Sequence, residues 1–148
     1  MLKSKTLLKA LRIFLGWIFL WPFLDKLFGL GFGTCRLDDG SVSYLCERAW
    51  AMGGSPTTGF LANTSGPFAN FFQSLSGLAI VDWLFMLGLL GIGTALIINR
   101  YVKFASAMGT LLLILMYLAS AIPPTHNPII DEHIIYAVAL LYIGKRAE

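Results

Sequence analysis

Apolar residues run nearly unbroken through four stretches of the chain, roughly 11–32, 83–98, 104–122 and 129–143. Crossing roughly 30 Å of hydrocarbon takes about 20 helical residues, and the first and third stretches supply them. The second and fourth hold about 16 positions each, so they must borrow polar flanks at 81–82 and 131–133 or sit in a thinned bilayer. The pattern predicts an all-α fold: a single integral membrane four-helix bundle over residues 1–148, with a long extracytoplasmic segment between helices 1 and 2. Pro22 lacks a backbone donor and is expected to kink the first span. In the long segment, Phe68, Phe71, Phe72 and Leu75 recur at helical spacing after Gly66 and Pro67. That spacing fits an interfacial or partly re-entrant helix, or a short amphipathic cap on the bundle. Gly88, Gly91, Gly93, Ala95, Ala105 and Gly109 stud the second and third spans; small residues four apart let helices approach closely in lipid. Asn127 and Pro128 have the character of an N-cap and a first helical residue, which would start the fourth helix there.

Charge gives these helices a direction. If each stretch crosses once, Lys3, Lys5, Lys9, Arg12, Arg100, Lys103, Lys145 and Arg146 share one face. The other face holds Lys26, Arg36 and Arg48 with Asp25, Asp38, Asp39, Glu47, Asp82, Asp131 and Glu132. Basic residues stay cytoplasmic, so the protein is expected in the cell membrane, multi-pass, with both termini cytoplasmic. Composition agrees, at 57% hydrophobic and 13% charged with a mean hydropathy of +0.73, outside the range of a soluble domain. The net charge of +3 points to membrane lipid as a partner and not to nucleic acid, because the excess sits in short flanks where it sets topology and meets anionic headgroups. The basic start also has the form of a signal peptide. The apolar run exceeds a usual signal core, and Thr34 before Cys35 makes a poor lipobox, so an uncleaved first span is expected.

Cys35 and Cys46 fall in the extracytoplasmic segment, where two cysteines eleven positions apart can pair as a structural disulfide. Asp39-Gly40, a turn dipeptide, lies in the loop they would close. Two free thiols or a redox-active pair are the alternatives, and no CxxC is present to favour the latter. The other awkward polar residues collect at the same level: Asp25 and Lys26 end the first span, Asp82 and Trp83 open the second, and Asp131, Glu132 and His133 begin the fourth. Roofed by Trp50 and the turn-rich stretch up to Phe60, they outline a pocket. The opposite half offers only Asn99, Arg100 and the chain termini. In the pocket, His133, Lys26 and Asp131 are the types that could relay a proton, with Asp25, Asp82, Trp83, Glu132, Tyr136 and Trp50 as substrate-binding residues around them, and Lys26 is expected to point into the bundle toward Asp82 or the turn at 131–133. A membrane quinone would suit such a site. A metal is not expected, since His126 and His133 do not have a standard ligand spacing. Dipole-stabilising carboxylates at a helix start and a structural histidine explain some of the same residues without any chemistry.

Two groups of residues carry a resemblance. Arg12-Ile-Phe-Leu-Gly16-Trp followed by Phe23-Leu-Asp25-Lys26-Leu-Phe-Gly29 resembles the first-helix pattern of the DoxX/DoxD-like membrane proteins. Gly54-Ser-Pro-Thr-Thr-Gly-Phe60-Leu and Asn127-Pro-Ile-Ile-Asp-Glu-His133 are similar to segments of its thiosulfate-oxidising branch. The resemblance implies the membrane subunit of a thiosulfate:quinone oxidoreductase, working with a second redox subunit and passing electrons from a reduced sulfur compound to quinone. It assigns no catalytic residue. The acidic outer face would repel a thiosulfate dianion, leaving Lys26, Arg36 and Arg48 as the only local anion site. The alternative is a non-catalytic integral subunit or assembly factor of a larger membrane complex; a homo-oligomer is compatible with either.

Overall fold

The structure is a computed structural model that describes residues 4–120 and 129–147. All regular structure among them is helical: α1 (Ser4–Phe28), α2 (Thr58–Ala62), α3 (Ala69–Ser74), α4 (Ala79–Ile98), α5 (Val102–Ala119) and α6 (Glu132–Arg146), with a 3-10 turn at Trp50–Met52. Three of these, α1, α4 and α5, are long and apolar enough to cross a membrane, with 25, 20 and 18 residues. Helix α6 has 15. Large apolar side chains such as Phe14, Trp17, Leu84, Leu87, Phe104 and Leu141 point outward and stay exposed. Helices that are apolar on their outward faces as well as their inward ones suit lipid.

The four long helices share one core, in which Leu15 and Phe19 of α1 meet Met86, Leu89 and Leu96 of α4, Leu113 of α5, and Leu140 and Ile143 of α6. The most extensive contacts pair α1 with α4 and α5 with α6. Glycines decide where these pairs touch. A Cβ on Gly16 would lie 2.9 Å from the Gly93 carbonyl oxygen, and one on Gly93 would lie 2.8 Å from the Leu20 nitrogen. At Gly144 the same atom would meet the Ser106 Cβ at 2.9 Å. Gly88 and Gly91 face open space, so the expectation that they pack helices together is corrected. The contacts belong to Gly16 and Gly93, where backbones approach too closely for a side chain, and to Gly109 and Gly144, whose missing Cβ makes room for side chains of the facing helices.

Helix α1 continues through its basic lead and stops at Phe28, because Gly29 turns the chain with φ of +65° and donates to the Asp25 carbonyl at 2.7 Å. Beyond it, Cys35 and Cys46 are joined by a disulfide with their Cα atoms 5.7 Å apart. The loop between them doubles back through an Arg36–Val42 bridge, turning at Gly40. Asp39 accepts from the Ser41 nitrogen and hydroxyl at 2.8 and 2.6 Å, which holds its carboxyl below the usual carboxylate range. Asn127 and Pro128 lie outside the described residues. The helix they were expected to open begins at Glu132, capped by Asp131.

Candidate functional site

Helices α1 and α5 finish where α4 and α6 begin, so one end of the molecule gathers the connecting segments and the other gathers the chain termini. All nine candidate pocket residues lie at the first of these, the loop end. Hydrogen bonding there is dense, and most of it holds the chain to itself.

Asp25, buried in the last turns of α1, accepts from the Phe32 nitrogen through one oxygen and the Gly33 nitrogen through the other, both at 2.9 Å. Its carboxylate therefore fixes the turn after α1, since a buried carboxylate must find hydrogen-bond donors. Asp82, in the first turn of α4, is likewise buried. One oxygen accepts from the Ser55 hydroxyl at 2.8 Å, the Thr57 hydroxyl at 2.6 Å and the Thr57 nitrogen at 3.2 Å. Ser55 in turn accepts from the Thr58 hydroxyl at 2.7 Å. Gly54 admits the knot, for a Cβ there would lie 2.4 Å from the Arg48 carbonyl. The Gly54-Ser-Pro-Thr-Thr stretch is thus a strap tied to the start of α4. Trp50 and Trp83 meet edge to face across the same seam, with ring centroids 4.8 Å apart.

Asp131 holds the start of α6. One oxygen accepts from the His133 and Ile134 nitrogens at 3.0 and 3.4 Å, and the other lies 2.7 Å from His133 Nδ1. The carboxylate favours the tautomer with the proton on Nδ1 and leaves Nε2 without a protein partner among the described residues. Both side chains keep some exposure, 19% for His133 and 12% for Asp131. Tyr136 packs against the core and is not the histidine's partner. Glu132 is exposed in the first turn.

Lys26 departs from expectation. It was expected to point toward Asp82 or toward the turn at 131–133. Instead its ammonium sits over the Phe85 ring, 5.9 Å from the centroid, and among the described residues no carboxylate pairs with it. One oxygen of Asp82 is taken by the Ser55 and Thr57 hydroxyls and the Thr57 nitrogen. Among the described residues, the Lys26 ammonium and His133 Nε2 at the loop end have no hydrogen-bond or salt-bridge partner and can meet a ligand. Among the described residues no three His, Cys, Asp or Glu groups are placed to share a metal ion; His126 lies outside them.

The tail end is built differently. Arg12 donates to the Leu96 carbonyl and, at 3.3 Å, to that of Ile97, satisfying carbonyls that the last turn of α4 leaves without helical donors. Around it opens a cleft of about 520 Å³. Lys5, Lys9 and Arg146 line it with Arg12, and Leu8, Ile97, Val102 and Ile143 supply apolar walls. This half of the chain was expected to offer little beyond Asn99, Arg100 and the termini. The signal that would have revealed the cleft is the three- and four-residue spacing of Lys5, Lys9 and Arg12, which places them on one face of a helix.

Comparison with known proteins adds no assignment: no family model matches the chain, and no curated protein or solved structure shows significant similarity to it.

Proposed function

We propose that the chain is a four-span integral protein of the cell membrane, with both termini cytoplasmic, and that it serves as a quinone-linked redox subunit. The charge asymmetry between the two ends supports the orientation. The packing of α6 along α5, from Thr110 at Ala137 to Ser106 at Gly144, supports a fourth span despite its length. The observation that carries the redox reading is the Asp131–His133 pair, partly open to its surroundings at the same end as Lys26, which makes no salt bridge among the described residues.

A quinone carbonyl accepts hydrogen bonds and takes up a proton as it is reduced. His133 Nε2 can take a proton from water and hand it on, while the Asp131 carboxylate steadies the charge on the ring. Lys26 would donate to the second carbonyl or favour the negative charge that develops there. Two electrons and two protons are needed per quinol formed, and a reduced sulfur compound supplies the electrons through a second redox subunit. The His133→Gln variant tests this without removing the Asp131 cap. It should insert and melt like the parent yet lose at least about tenfold in quinone reduction, within the range of general acid–base effects. Unchanged turnover would remove His133 from the mechanism.

A second reading has its own observation. Asp25 and Asp82 are engaged in bonds that shape the connecting segments, and exposed Tyr44, Phe68 and Phe71 decorate that surface. A non-catalytic subunit of a larger membrane complex needs a shaped outer face and no turnover. Isolation from native membranes in a mild detergent separates the two: a stable larger assembly with no quinone reduction under any sulfur donor supports the second.

A further inference from the structure

We propose that the tail-end cleft seats the headgroup of an anionic phospholipid. The inference rests on the membrane reading above and is independent of the redox role. The cleft volume of about 520 Å³ lies within the size of ligand sites, about 300–1,000 Å³. Four cationic side chains, Lys5, Lys9, Arg12 and Arg146, line it, and among the described residues that line it none is acidic. A helix C-terminus alone would repel an anion, because its free carbonyls carry partial negative charge. Arg12 offsets that at α4 by donating to the Leu96 and Ile97 carbonyls, leaving Lys5 and Lys9, both exposed, free for an incoming phosphate. Arg146 is positioned by its stacking on Tyr142, 5.4 Å from the ring centroid.

The apolar walls decide which anion fits. Leu8 and Ile143 would gain nothing from free phosphate, whereas a lipid lays its glycerol and upper acyl carbons against them and its phosphodiester among the cations. Basic side chains at the membrane surface attract anionic lipid by roughly the same increment each. What distinguishes this cleft is that the charges converge on a recess with an oily floor.

The test uses the full chain purified in detergent, after fractionation has shown that it sediments with membranes and resists alkaline extraction. Failure at that stage overturns the membrane reading itself. Native mass spectrometry then measures retention of phosphatidylglycerol against phosphatidylcholine. The parent should prefer phosphatidylglycerol, and the Lys5→Ala/Lys9→Ala pair should weaken its binding about thirtyfold, at the increment expected per basic residue. The Arg100→Ala/Lys145→Ala pair removes the same charge from the same end outside the cleft and should change binding less than about threefold. Equal loss in both pairs would mean diffuse surface attraction and overturn the proposal. So would equal retention of the two lipids. Displacement of the lipid by millimolar inorganic phosphate, regardless of acyl chain length, would assign the cleft to a free anion and overturn the lipid. All of these variants change exposed residues, and unchanged melting temperatures will confirm that they fold.

Discussion

The two ends of this molecule treat charge in opposite ways. At the loop end, Asp25 and Asp82 are buried and accept from five donors between them, so the carboxylates are parts of the backbone's own wiring. At the tail end, Lys5 and Lys9 are exposed, while Arg12 is drawn into the fold by the last carbonyls of α4. The difference follows from chain geometry. The loop end must organise a connection of fifty residues between α1 and α4, and short polar side chains are the means by which irregular backbone satisfies its hydrogen bonds. The tail end has only the tight α4–α5 turn and two termini to hold, so its cations remain available. A count of charged residues at either end therefore says little about which of them can meet a ligand.

The comparison breaks most readily at Asp82. Replacing it with Ala strands Ser55 and Thr57 and should cost about 3 kcal/mol, the scale of lost bonds to a buried charge. Thermal unfolding in detergent would read the loss, and Asp82→Asn should recover part of it. A destabilisation under about 1 kcal/mol would mean that the strap is not what holds the loop end. A middle-sized effect sharpens the contrast within one helix. Gly93→Ala should cost about 2 kcal/mol through overpacking against α1, whereas Gly91→Ala, facing open space, should stay within about 0.5 kcal/mol of the parent. Equal effects would show that the helix, and not its contact with α1, sets the response. The smallest effect belongs to the tail end. Lys5→Ala/Lys9→Ala should leave the lipid-free melting midpoint within the range of ordinary surface substitutions, about 0.5 kcal/mol, and a larger drop would mean that these lysines are also structural.

Hydropathy located the long helices because lipid imposes a simple demand, an apolar run of sufficient length, which any window along the chain can detect. Their ends were less legible. Helix α1 begins at Ser4 and not near Leu11, since lysines disfavour hydrocarbon without disfavouring a helix. Helix α6 begins at Glu132, where Asp131 caps it, and local preference alone did not single out that cap. At the candidate site, the level shared by Asp25, Lys26, Asp82 and His133 was legible from topology. Their partners were not. That Asp82 would bind Ser55 and Thr57, 27 and 25 positions away, depends on the path of the strap, and that Lys26 would lie over Phe85 depends on how α1 packs on α4. Gly16 escaped notice for a related reason: the glycine that meets it lies 77 positions on, and a close approach requires both.

The pairing of α1 with α4 also has a consequence in time. The carbonyls that receive Arg12 belong to residues 84 and 85 positions later. At a synthesis rate of about 5–20 residues per second, the arginine waits roughly 4 to 17 seconds for them to be made. During that interval the first helix has no protein partner for its charge, and the side chain must reach back to the headgroups. Its position one turn beyond Lys9 keeps the guanidinium within reach of that surface. Completion of α4 then gives Arg12 its carbonyl partners and turns a lone cation into a helix cap.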